Sequence, residues 1–392
     1  MSVTAPKGFV AAGGSAGIKS GGRPDLAVVA TADGVAVPGA AVFTANKAAA
    51  APVQVSRAHL AASAGRVSAV VLSSGNANAA TGQAGLEAAR RLCELVGGGI
   101  GAATEEILIC QTGLIGIPFP LGVVEPEVSG IVAARQAGEA AGASAAEAIM
   151  TTDTVRKEVV VRGDGFVIGG MAKGAAMLAP NMATMLAVLT TDAGAEPEVL
   201  GQVLRRAVVP SFNSITVDGA TSTNDTVILL ANGAAGAAGA VDAEALEAAV
   251  TEACTSLAEQ MVADAEGATK VVHVRVTGAA SDTEAHRAAR QVADSLLVKC
   301  SLNGADPYWG RIVSELGTAG VAMELERVTI SYGGVAVCRR GEAAGHDAAA
   351  VAAHMAGRVI DLHCDLGLGS GAGVVLTTDL GYGYIDENRT TS

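Results

Sequence analysis

Aromatic side chains are scarce in this sequence, at 3% of 392 residues with one Trp. A core of this chain therefore cannot be built around large rings. Single-stranded nucleic acid binding through stacked aromatics is also excluded as a main design. Positive charge is in deficit: 26 Lys and Arg face 39 Asp and Glu, for a net charge of −13. That balance argues against a phosphate-backbone partner, which needs clustered basic side chains. The six cysteines (Cys93, Cys110, Cys254, Cys300, Cys338, Cys364) include no C-x-x-C pair and read as reduced core residues rather than a disulfide frame. The histidines show no metal-ligand spacing, so no metal site is expected. No uninterrupted apolar run reaches membrane-spanning length, and the first residues lack the charged and apolar regions of a signal peptide. A cytoplasmic protein with no membrane or nucleic acid partner is the expectation.

What the chain has in quantity is small and aliphatic. Half of it is hydrophobic and 50 residues are Gly. Its length allows one large or two moderate domains. Helical periodicity predicts helices over 83–96, 125–150, 196–208, 242–265, 283–295 and about 348–359. Lys157–Val161 and Phe166–Gly169 read as a hairpin, as do Val328–Tyr332 and Val335–Cys338; Val271–Val276 alternates like a strand, and further strands close the chain. Residues 233–240 are low-complexity and read as a surface loop.

Two Gly-rich stretches approach nucleotide motifs and miss. In Gly13-Gly-Ser-Ala-Gly-Ile-Lys-Ser20, Ile18 stands where a phosphate-binding loop needs its second Gly. Gly367-Leu-Gly-Ser-Gly-Ala372 is followed by the strand-like Val374-Val-Leu-Thr-Thr rather than a helix. Both are read as turns.

The most informative stretch is Lys173 to Asp192, which includes Ala179-Pro-Asn-Met-Ala-Thr184-Met-Leu. A Thr directly after the small Ala183 suits self-cleavage: its hydroxyl attacks the Ala183 carbonyl, and hydrolysis of the ester leaves Thr184 as a new N-terminus. The freed amine, with an ordinary pKa of roughly 7.7–8.0, can then take the proton from its own hydroxyl. On spacing alone, a Thr opening an apolar run is more often a strand or helix-start residue. Thr112-Gly113 is similarly two-sided. A Thr hydroxyl and an adjacent Gly N–H can stabilise an oxyanion, and the same pair can be a turn after Ile107-Leu-Ile-Cys110.

The Lys173–Leu186 segment resembles the signature of the ornithine acetyltransferase (glutamate N-acetyltransferase) family, with Ala176 in place of a Gly. The resemblance spans nearly the whole chain: Gly8–Gly13 and Ala16–Lys19, Ala41–Lys47, Ser73–Asn78 with Thr81-Gly82, Thr112–Gly116, Ala148–Thr154, Phe212–Asp218, Thr221–Thr226, Asp264–Lys270 and Ala305–Arg311. It implies an α/β fold with mixed β-sheets layered between α-helices. It also implies self-cleavage between Ala183 and Thr184 into an α chain (1–183) and a β chain (184–392) that both contribute to one catalytic unit, with α2β2 assembly.

The resemblance makes Thr184 the nucleophile and its amine the base, assigns Thr112 and Gly113 to the oxyanion hole, and assigns substrate binding to Thr151, Lys173, Thr184, Glu266, Asn388 and Ser392. The implied reaction is ping-pong transfer of acetyl from N-acetylornithine to glutamate in arginine biosynthesis; some members of that family also accept acetyl-CoA as donor. Departures are Gln111, Ala220, Tyr308 and a tail, Tyr384-Ile-Asp-Glu-Asn388-Arg-Thr-Thr-Ser392, that is one residue and one aromatic short of the usual pattern. The tail leaves room for a paralogue with another acyl-amino-acid substrate. A self-processing aminopeptidase or amidohydrolase, with water as acceptor, shares the same nucleophile logic, and a degenerate binding protein would lack the cut.

Overall fold

The computed structural model describes residues 2–178, 185–236 and 241–389. They form two compact units, one of 2–177, 185–213, 221–236 and 241–261, the other of Leu178, 214–220 and 262–389. The fold is the expected α/β type with mixed sheets.

The first unit has two sheets. One runs in the order Phe9–Gly14, Leu26–Thr31, Ala69–Asn76, Ile107–Leu114, the last pair parallel and the others antiparallel. The other runs Arg66–Val67, Val37–Phe43, Thr226–Ala231, Leu186–Thr191, Val167–Lys173, Lys157–Arg162, with Thr226–Ala231 and Leu186–Thr191 parallel. Strand alternation gives the first sheet two buried faces. Phe9, Ala27, Val29, Val70, Leu72 and Leu108 pack against Met171, Leu186, Val188, Ile228 and Leu230 of the second sheet. Leu26, Val28, Val71, Ile107 and Ile109 pack against Leu92, Val96, Val124, Val128 and Val132 of helices Gly82–Ile100 and Leu121–Ala133.

Small residues set the spacing of these layers. Helix Glu139–Ala148 buries Ala141, Ala145, Ala146 and Ala148. It lies so close to the edge strand that a Cβ at Gly13 would sit 2.1 Å from the Ser144 carbonyl oxygen. Close packing thus replaces the missing aromatics as the source of cohesion.

The second unit is built on a sheet in the order Glu342–Ala343, Val335–Arg339, Thr329–Tyr332, Val359–Asp365, Val271–Ala279, Gly371–Thr378. Its core joins Val272, Val274, Val276, Ile330, Leu362 and Val375 to the helices Asp282–Asp294, Leu296–Asn303 and Trp309–Thr318.

Most predicted elements are present. The hairpins, the strand from Val271, and helices Gly82–Ile100, Pro197–Ala207, Ala243–Ala263 and Asp282–Asp294 lie where periodicity put them. The single helix expected over 125–150 is instead two, Leu121–Ala133 and Glu139–Ala148. Gly138, at φ 103°, cannot continue a helix, and Gln136 exchanges two backbone hydrogen bonds with Ala11 on the edge strand. The helix expected to reach Val359 ends at Ala356, because Val359 opens a central strand. Helix Ala51–Ala62 was not anticipated. Cys300 is exposed, not a core residue, whereas the other five cysteines are buried and free. Among the described residues, no helix is long and apolar enough to cross a membrane. The loop reading of 233–240 is described only to 236.

The phosphate-loop near miss has a structural role. The backbone amides of Ala16, Ile18 and Lys19 donate to the Asp25 carboxylate at 2.6, 2.7 and 2.9 Å. The anion in this nest belongs to the protein, and Asp25 is fully buried. Asp25→Ala leaves three amides without their acceptor and is expected to lower stability by about 3 kcal/mol or more. Denaturant unfolding of the purified variant checks this; a midpoint unchanged from the parent refutes it.

Candidate active site

Strand Ile107–Leu114 carries Thr112 and Gly113 at its end, in parallel register with Ser74 and Gly75. The two strands cross so tightly there that a Cβ on Gly113 would lie 2.3 Å from the Gly75 carbonyl carbon, and Gly113 has φ 130°. Both constraints demand glycine. Polar side chains brace this strand end. Asn224 donates to the carbonyls of Ala77 (2.6 Å) and Gln111 (2.8 Å). Gln111 is itself buried, donating to Ser73 Oγ at 3.1 Å and accepting from Asn78 Nδ2 at 2.8 Å. The departure at Gln111 is thus accommodated with both ends of its amide paired.

Lys173 ends strand Val167–Lys173 with its side chain buried. Its ammonium donates to Thr151 Oγ1 at 2.7 Å and to Thr112 Oγ1 at 3.3 Å, and stands 3.9 Å from Asp153 Oδ2. A hydroxyl that accepts from an ammonium keeps its own proton to give away. Thr112 and Thr151 are therefore polarised donors, as an oxyanion site and a carbonyl or carboxylate contact require. Thr112, Gly113, Thr151 and Lys173, chosen from the sequence, come together in one cluster.

Asp153 supplies the countercharge. Burial would raise its pKa, but the charges of Lys173 and Lys157 and the bonds from Lys157 and the Thr151 amide outweigh that, holding it well below the carboxylate range. It accepts from Lys157 Nζ at 2.7 Å, from the Gly174 amide at 2.7 Å and from the Thr151 amide at 3.0 Å. One carboxylate thus fixes the backbone beside both Lys173 and Thr151. Lys19 fixes the preceding residue: its ammonium donates to the carbonyls of Met150 (2.6 Å) and Pro24 (2.9 Å). Burial pushes Lys19 down to about 8, opposed by the Asp25 charge. No role was assigned from sequence to Asp153, Lys157, Lys19 or Asn224. Charged residues set among small polar ones, as in Thr151-Thr-Asp-Thr154, were the available signal.

Glu266 and Asn388 meet in the second unit. Asn388 Nδ2 donates to Glu266 Oε2 at 2.6 Å, from a tail helix, Tyr382–Asn388, that was not predicted. Gly267 makes the approach possible, since a Cβ there would lie 2.0 Å from the Tyr384 nitrogen. Tyr384 also donates to Asp218 Oδ2 at 3.2 Å. The cleavage pair Ala183 and Thr184 and the terminal Ser392 lie outside the described residues.

The ArgJ family pattern matches residues 10–390. The arginine biosynthesis bifunctional protein ArgJ of Thermobifida fusca is 46% identical over 392 residues, all of both chains. That of Mycolicibacterium paratuberculosis is 46% identical over 397 residues, spanning all of this chain and 96% of the relative. A solved structure, the ornithine acetyltransferase of Mycobacterium tuberculosis complexed with ornithine, is 39% identical over 46% of this chain and 94% of that one, with a TM-score of 0.41. Full-length identity of this degree, together with the matched family pattern, places the chain in the ArgJ family, the ornithine acetyltransferases of arginine biosynthesis.

Proposed function

We propose that this protein transfers the acetyl group of N-acetylornithine to glutamate through an acetyl-Thr184 intermediate, after cutting itself between Ala183 and Thr184. The observation that carries this reading is the Lys173 ammonium bonded to both the Thr112 and Thr151 hydroxyls. It prepares a hydrogen-bond donor for the developing oxyanion beside a second donor for the substrate.

The Thr184 amine takes the hydroxyl proton, and the oxygen attacks the acetyl carbonyl. Thr112 Oγ1–H and the Gly113 N–H stabilise the tetrahedral oxyanion until ornithine leaves with the proton. Glutamate then enters, its α-amine attacks the acetyl-Thr184 ester, and the same donors serve again. No metal or cofactor takes part. Lys173 and Thr151 bind the substrate, and Glu266 with Asn388 recognises a cationic amine, with Ser392 contributing from the tail. Acetyl-CoA serves as a second donor, in line with the bifunctional character of the relatives. The enzyme works in the cytoplasm as an α2β2 assembly.

Strand order supports lasting association of the cleavage products. Leu186–Thr191 and Thr226–Ala231, from the C-terminal product, lie between Val37–Phe43 and Val167–Lys173 from the N-terminal one. Parting the two chains requires unzipping the middle of a sheet. The 1–183 and 184–392 fragments are expected to co-elute on native size exclusion and to separate only in denaturant. Separate native peaks would contradict this.

Acceptor dependence tests the activity itself. Ornithine release from N-acetylornithine is expected to depend on glutamate; equal release without glutamate would mark a hydrolase. Thr112→Ala is expected to lower kcat by about 10²–10³-fold with fragment formation measured alongside, the usual cost of one oxyanion donor. A kcat unchanged in that variant would remove Thr112 from the oxyanion site.

A further inference from the structure

Asp379 is a carboxylate of the second unit, 4% exposed, that no step of the acetyl transfer uses. It directly follows strand Gly371–Thr378. Its Oδ1 accepts from the backbone amides of Thr269 and Lys270, both at 2.8 Å. Its Oδ2 accepts from the Thr269 hydroxyl at 2.5 Å and from Asn303 Nδ2 at 2.6 Å. Two donors on each oxygen use the acceptor capacity of a carboxylate and hold it in one orientation.

These bonds lie where two strands end. Val271–Ala279 pairs antiparallel with Gly371–Thr378, with Val271 opposite Thr378. Upstream of the first strand, through Thr269, lies the turn that carries Glu266. It is closed by the Ala268 amide on the Ala265 carbonyl at 3.1 Å, with Gly267 at φ 62°. Downstream of the second strand, through Leu380, lies helix Tyr382–Asn388. Buried Lys299 secures that side. Its ammonium donates to Thr377 Oγ1 at 2.6 Å and to the Thr378 carbonyl at 2.8 Å, and its own carbonyl accepts from the Leu380 amide at 3.2 Å. Asp379 ties the two segments together at their roots, and they meet again where Asn388 donates to Glu266. The tail backbone lies directly against Gly267, so the turn has little room to shift on its own.

We propose that Asp379 is a positioning residue for recognition of the substrate's side-chain amine. By clamping the Thr269 and Lys270 amides to the root of the tail, it sets Glu266 in relation to Asn388. It acts through the backbone and is not itself a ligand of the amine. The inference rests on the reading that Glu266 with Asn388 recognises a cationic amine. Hydrogen bonds from an ammonium to a carboxylate weaken steeply as distance and angle depart from the ideal. A displaced Glu266 therefore loses selectivity for the charged side chain, whereas a general loss of structure lowers the turnover of every substrate alike.

The test compares kcat/KM for N-acetylornithine with that for N-acetylnorvaline, which has the same carbon chain and no terminal amine, at saturating glutamate. In the parent the ratio is expected to be at least about 100-fold, since a site built to bond a polar group rejects the analogue that lacks it. Asp379→Ala is expected to lower the ratio at least about tenfold, chiefly by raising KM for N-acetylornithine, with N-acetylnorvaline little affected. Glu266→Gln, run alongside, is expected to lower it as well. A ratio in Asp379→Ala within about twofold of the parent, while Glu266→Gln loses it, overturns the proposal and leaves the reading of Glu266 intact. A parent ratio near one, or a Glu266→Gln ratio equal to the parent's, overturns the reading of Glu266 and the proposal with it. If Asp379→Ala does not fold, Asp379→Glu decides. It keeps the charge and displaces the clamp by one methylene; a loss of at least about threefold in the ratio is expected, and an unchanged ratio overturns the proposal.

Discussion

A buried ammonium with two hydroxyls and one carboxylate around it is the constraint on which the candidate active site depends. Asp153 places a negative charge beside buried Lys173, where an unpaired buried charge would cost several kcal/mol. Asp153 in turn is committed to Lys157 and to the amides of Thr151 and Gly174. Removing Asp153 would take this acceptor from the Thr151 and Gly174 amides at once. The network therefore fixes Thr112 and Thr151 in relation to each other, and this preorganisation is what an oxyanion site needs.

The fold supplies the close approaches that make the network possible. Glycine at 113 lets two parallel strands meet at the oxyanion end, and glycine at 13 lets a helix rest on an edge strand. The composition that looked like a deficit, few aromatics and many small residues, is the means of bringing backbones together. The interleaved order of the six-stranded sheet of the first unit has a further consequence. The two strands that follow residue 184 in the chain lie side by side between strands that precede it, so a cut at that point would leave the sheet's hydrogen bonding intact.

Much of this was legible in the sequence where local pattern and burial agree. Helix Gly82–Ile100 and the hairpin Lys157–Lys173 followed from periodicity and turn residues. The break at Gln136 was not legible, because it depends on a strand edge more than a hundred residues earlier capturing its backbone. The tail helix was missed for a similar reason: its place is set by contact with the turn at Gly267. In the site, Thr112, Gly113, Thr151 and Lys173 were found through motif resemblance. Asp153 was present in the same motifs without an assigned role. A sequence does not reveal that a carboxylate is buried beside two lysines.

The mechanism stands on Thr184 as a nucleophile freed by cleavage, and intact mass spectrometry addresses that directly. The purified protein would be measured alone and after mixing with N-acetylornithine. The predicted result is two fragments meeting at Ala183 and Thr184, with one acetyl group added to the fragment that begins at Thr184. A single uncut chain carrying no acetyl group would contradict it.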